Sequence, residues 1–134
     1  MRIFVVKGFA KFQRRERILD AALCEAVRRV ERGLVDADLG SGLIKQRVAR
    51  PGQGRSGGFR TLLAYRLGAR VVFLFGFAKS ERGNIGDAEL VKLRKLAVEV
   101  LALNDEAIEA RIADDDMTEV YCDDDDNEEE ETED

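Results

Sequence analysis

The run "ARVVFLFGFAK", residues 69–79, is apolar on both of the faces that an extended chain presents. A strand with one face in water alternates apolar with polar residues. This pattern belongs instead to a central strand, covered on both sides. The rest of the chain has to supply the cover, and 134 residues allow one domain with a modest core.

Upstream, "GLIKQRVAR" alternates, with Ile44, Gln46 and Val48 on one side and Lys45, Arg47 and Ala49 on the other. A glycine-rich turn leads into "GFRTLLAYRL", and Gly68 links that run to the central one. Short glycine-containing links between consecutive strands imply an antiparallel meander. "RIFVV", residues 2–6, reads as a first strand, and "KGFAKFQRRERI" as a helix with Phe9 and Phe12 on one side. Asp20 is expected to cap a second helix carrying Leu23, Val27, Val30 and Leu34, with Gly33 as its stop. "DAELVKLRKLAVEVLAL" reads as a third helix capped by Asp87, and Asn104 as the cap of a last helix reaching about Ala113. The order is that of an α+β domain with helices packed on an antiparallel sheet.

Charge divides the chain in two. Residues 1–113 hold all 22 Lys and Arg and 13 of the 27 Asp and Glu, a net +9, while residues 114–134 carry 14 acids and no base. Residues 1–113 are therefore expected to be the folded domain and 114–134 an acidic disordered tail. No apolar run approaches the roughly 18–20 residues of a membrane span. The N-terminal run is too short for a signal-peptide core, so the cytoplasm is expected. Cys24 and Cys122 are far apart without metal-ligand spacing, and both are expected to be free thiols there, with a disulfide as the alternative.

The chain has no His, which excludes His-based acid–base work, triads with His and His-ligated metals. "GQGRSGG" opens no helix and is not a dinucleotide fingerprint. Neither a metal nor a cofactor is expected. What remains is a stretch from Leu39 to Ser80 without one carboxylate, carrying Lys45, Arg47, Arg50, Arg55, Arg60, Arg66, Arg70 and Lys79. Lys45 and Arg47 stand side by side on one sheet face, and antiparallel pairing brings Arg60 to the same region. Such charges repel one another unless a polyanion covers them, and the glycines let backbone approach a bulky ligand closely. The chemistry favoured is phosphate binding. Tyr65 follows Phe59, Thr61 and Leu63 on one face and is expected to pack in the sheet.

"GLIKQRVARPGQGRSGGFR", "LLAYR" and "VVFLFGFAKSE" resemble the RelE/ParE superfamily of bacterial toxins, closest to its HigB-like branch. A basic strand, a loop ending in "GG-aromatic-Arg" and an aromatic strand closing on "Lys-x-Glu" occur there in the same order. The resemblance covers roughly residues 2–100, with its specific part in 40–85. It implies a RelE/ParE-like α+β fold: an N-terminal strand and helical hairpin on an antiparallel meander, then a C-terminal helix. It also implies the toxin of a type II toxin–antitoxin pair, an endonuclease that cuts mRNA on the ribosome, with an antitoxin protein, the ribosome and mRNA as partners. By their match to the basic strand and the "GG-aromatic-Arg" motif, Lys45, Arg47 and Arg60 are the catalytic candidates. Arg50 and Arg55 are expected to hold RNA. Lys79 is either a phosphate contact or the ion-pair partner of Glu81. With no His, a base has to come from another group, and Lys45 is the candidate. Ser80 follows Lys79 where some members have Arg, and Tyr121 stands in an acidic context unlike their C-terminal tyrosine. A non-catalytic RNA- or ribosome-binding module and a ParE-like inhibitor of gyrase are the alternatives. The acidic tail is either a solubilising segment or a mask for the chain's own basic groove.

Overall fold

The apolar run at residues 69–79 becomes β5 (Arg70–Ala78), and it lies inside the sheet, between β4 (Gly54–Arg66) and β1 (Arg2–Val6). The computed structural model describes residues 1–50, 54–78 and 84–122, with the backbone alone at 54–56. The remaining elements are α1 (Lys7–Arg15), α2 (Asp20–Glu31), β2 (Ala37–Gly40), β3 (Leu43–Arg50), α3 (Asp87–Ala102), α4 (Asp105–Ala113) and β6 (Met117–Val120). The sheet order is β2-β3-β4-β5-β1-β6. The meander β2 to β5 is antiparallel, as the short links require, whereas β1 returns parallel to β5 and antiparallel to β6.

Both faces of β5 are covered. On one, Phe9 and Phe12 of α1 and Leu23, Val27 and Val30 of α2 pack on Val5, Ile44, Val48, Phe59, Leu63 and Phe73. On the other, Ala97, Val100 and Leu101 of α3 and Ile108 of α4 pack on Phe4, Leu43, Leu62, Ala64, Val72 and Leu74. Two glycines set these distances. A Cβ on Gly76 would overlap the ring of Phe12, which stands edge-on to Phe59 with centroids 5.5 Å apart. A Cβ on Gly58 would overlap the carbonyl of Val48, so only glycine lets β3 and β4 close there.

The sequence reading needs several corrections. The second helix is capped by Leu19, with Asp20 inside its first turn, and the third by Gly86, whose N–H donates to Glu89 Oε1 at 3.3 Å. Leu34 lies beyond the end of α2 and is exposed. Asn104 does cap α4, accepting from the Ala107 N–H at 2.8 Å. β4 begins at Gly54, inside the stretch expected to be a turn, and residues 51–53 lie outside the described residues.

The larger corrections are at the C-terminus. β6 pairs with β1 from Ile3 opposite Val120 to Val6 opposite Met117, so the folded part runs on through Cys122, past the boundary expected at residue 113. Residues 123–134 lie outside the described residues. Cys24 and Cys122 are not free thiols; they form a disulfide across a sequence separation of 98. Their distance in sequence hid a distance of 5.9 Å between their Cα atoms. A covalent loop of this length restrains the unfolded chain by about 4–5 kcal/mol.

Candidate nucleic-acid interface

Antiparallel register decides which basic side chains meet. Arg47 stands opposite Arg60, Lys45 opposite Leu62, and Arg60 opposite Phe77 on its other side. Ile44 and Val48 face α1 and α2, as do Phe59 and Leu63, so alternation turns Lys45, Arg47 and Arg60 to the opposite face, with Leu62 and Phe77. The structure thus brings together the three residues expected from the sequence. Phe75 joins them through a bulge in β5 between the partners of Leu62 and Leu63, and its ring centroid is 6.2 Å from that of Phe77.

Counter-charge is scarce. Arg47 is the exposed member, and its Nε lies 3.8 Å from Asp36 Oδ2. The same oxygen accepts the Arg47 N–H at 2.7 Å. Asp36 is held in turn by Gln46, which is fully buried: its Oε1 accepts the Asp36 N–H at 3.0 Å and its Nε2 donates to Leu34 O at 3.0 Å. Sequence reasoning missed this acid because it stands just upstream of the carboxylate-free stretch. Arg29, buried on α2, supports β3 from behind, donating to the Arg47 carbonyl and to Glu25 Oε2 at 3.1 Å. Lys45 has no hydrogen-bond or ion-pair partner among the described residues. Arg60 is half-buried, and its Nη1 is buried without a partner. A buried cationic donor left open costs about 1–3 kcal/mol or more, a loss that an incoming acceptor recovers.

The other candidates fall elsewhere. Arg50 belongs to the opposite face: its guanidinium lies 4.7 Å above the Phe59 ring and its Nη2 is 3.6 Å from Glu16 Oε1. The structure therefore does not bring Arg50 to the three. The Arg55 side chain and Lys79 lie outside the described residues. Arg70, counted in the basic stretch, closes the end of α3 by donating to Val100 O at 2.9 Å and Leu103 O at 2.7 Å. Tyr65 packs against the α1–α2 side, as expected, and burial pushes its phenol above the usual range, with Glu31 adding to the rise. Tyr121 follows β6, at the sheet edge opposite β2, where it is exposed and donates to Glu119 Oε1 at 3.2 Å.

Three cations thus share one face with aromatic rings alongside, and one carboxylate among the described residues is paired with them, an arrangement whose charge can accept an anion. A family model described as the RelE toxin of the RelE / RelB toxin–antitoxin system matches residues 1–120. Among curated proteins, none matches the chain.

Proposed function

The chain belongs to the RelE toxin family, and from that premise we propose that this toxin cuts translated mRNA on the ribosome, without a metal. An antitoxin is its partner, as membership of a toxin–antitoxin system implies. The order of basic strand, "GG-aromatic-Arg" and "Lys-x-Glu" supports assignment to the HigB-like branch. No helix among the described residues is long and apolar enough to cross a membrane. A ribosomal target would place the protein's work in the cytoplasm.

One relationship carries the reading: Arg47 opposite Arg60, with Lys45 on the same face and Arg60 Nη1 unpartnered. In the reaction proposed, a 2′-hydroxyl oxygen attacks the adjacent phosphorus and the bond to the 5′-oxygen breaks. The products are a 2′,3′-cyclic phosphate and a 5′-hydroxyl end. Charge grows on the non-bridging oxygens, where fixed cations help most. Arg47 and Arg60 take that role, Lys45 as the neutral amine accepts the proton from the 2′-hydroxyl, and the departing 5′-oxygen takes a proton from solvent. Arg50, Arg55 and Lys79 remain proposed RNA contacts, Arg50 from the opposite face. The ten acids of residues 123–134 are proposed to compete with RNA for the basic face.

A second reading has its own observation. Among the described residues, neither tyrosine stands with the three cations, which favours a module that grips RNA without cutting it. Programmed ribosomes and a defined message, mapped by primer extension, separate the two. Ribosome-dependent cuts that vanish in a Lys45→Ala, Arg47→Ala, Arg60→Ala triple variant support cleavage. Binding without cuts supports the module, and cuts that persist in the variant overturn the site.

A further inference from the structure

We propose that the Cys24–Cys122 pair is a thiol–disulfide exchange site that accepts a low-molecular-weight thiol and thereby fastens or frees β6. The two cysteines are not equivalent. Cys24 sits on α2, 3 % exposed and packed in the core beneath β1 and β6, whereas Cys122 is half-buried, two residues beyond β6. A cavity of about 340 Å³ opens at the bond. Both cysteines line it, with Met1, Val27, Arg28 and Tyr121 around them. It can admit a small thiol, and of the two sulfurs the one on the half-buried residue, Cys122, is the more accessible.

What the bond holds is small. β6 has four residues, lies at the edge of the sheet and pairs only with β1 among the described residues. Its other anchors are Met117 in the α3–α4 cluster, Val120 in the α1–α2 cluster, and Glu119, whose carboxylate takes both Nε and Nη2 of Arg2 at 2.9 Å and 2.7 Å. A lone four-residue edge strand is at the weak end of sheet stability, so a covalent tie at its end decides how often it opens. When it opens, the outer edge of β1 loses its partner and Met117 leaves its seat.

The chemistry balances with the thiol as the only co-reactant. A thiolate attacks Cys122 Sγ, the Sγ–Sγ bond breaks, and its electron pair leaves on Cys24 Sγ, which takes a proton from solvent. A mixed disulfide remains on Cys122. A second thiol displaces it, giving the oxidised small-molecule disulfide and a free Cys122 thiol. Two thiols are oxidised and the protein takes up two electrons and two protons. Oxidation runs the same steps in reverse.

The test uses the full chain in a series of reduced-to-oxidised glutathione ratios under native conditions, followed by intact mass and amide hydrogen exchange. The expected result is reversible loss and gain of two hydrogens with the fold kept. Exchange at residues 117–120 and on β1 should be roughly tenfold faster in the reduced form, with β3 and β4 unchanged. Single variants report on access: in Cys24→Ser the remaining Cys122 should alkylate roughly tenfold faster than Cys24 does in Cys122→Ser. The proposal is overturned if the thiols never pair across the series, if reduction requires denaturant, or if β6 exchanges equally fast in both forms. Equal alkylation rates overturn the assignment of Cys122 as the attacked sulfur. None of these readouts depends on RNA cleavage.

Discussion

Arg47 and Arg60 face each other across the β3–β4 ladder, and the Nη1 of Arg60 is buried with no partner. Two like charges in register on one face are a destabilising choice, since opposed like charges weaken a strand pair. The fold tolerates it because Phe59, Leu62 and Leu63, on both sides of Arg60, are fully buried and hold β4 in place. An arriving anion would recover the stability given up, as the proposed phosphate site requires.

Replacing Arg60 with Met should therefore stabilise the free protein while disabling it. The apolar chain keeps the contact with the sheet and removes both the open donor and the repulsion. A gain of about 1 kcal/mol is expected in urea unfolding. Message cleavage should fall by about 10²–10³, the usual cost of losing one fixed donor at a developing charge. Unchanged cleavage in a stabilised variant would remove Arg60 from the chemistry.

Asp36 has the opposite sign. In Asp36→Ala the Arg47 N–H loses its acceptor and the guanidinium its ion-pair partner, so stability should drop by about 1 kcal/mol. Binding of a short single-stranded RNA should tighten several-fold at low salt, because the only carboxylate among the described residues paired with the three cations is gone. Anisotropy titrations check this, and the difference should fade as salt screens the site. Tighter binding that survives high salt would contradict an electrostatic cause.

Glu119 makes the C-terminal strand sensitive to acid. Its hydrogen bonds from Arg2 hold the carboxyl below its usual value of 4.5, despite burial acting the other way. A carboxylate lowered by folding contributes stability that is complete above its unfolded pKa and is lost as pH falls through the folded one. Wild-type protein should thus lose stability below about pH 4.5, whereas Glu119→Gln should start lower and show a flatter acid limb. Parallel acid limbs in urea-midpoint scans would show that Arg2 and Glu119 do not couple to folding.

How much of this was legible depended on distance along the chain. Lys45, Arg47 and Arg60 were readable because alternation within β3, and a hairpin only a few residues long, fix their shared face. The same alternation places Arg50 with Ile44 and Val48, toward Phe59 and Glu16, where a count of charges alone could not put it. β6 was hidden: "MTEV" is too short to show a period and stands among acids, and its partner β1 lies more than a hundred residues away. The Cys24–Cys122 bond was hidden for the same reason. Gly58 read as loop material, while its actual role is the contact with the Val48 carbonyl that sets the spacing of β3 and β4. Local pattern identifies strands and faces; which edges close on one another is decided by the whole chain.

The ten acids of residues 123–134 follow directly on Cys122, which the disulfide fixes beside α2. Tethering keeps them at high effective concentration near a domain whose first 113 residues carry a net +9. The competition with RNA proposed for them would be strongest where counterions are few. Deleting 123–134 should strengthen binding of single-stranded RNA by about tenfold near 50 mM salt and have little effect near 500 mM. The slope of log affinity against log salt should steepen, since RNA then displaces salt ions where it formerly displaced the tail. Titrations of both chains across that range are the measurement. Equal affinities at the low-salt end would leave these acids with a solubilising role alone.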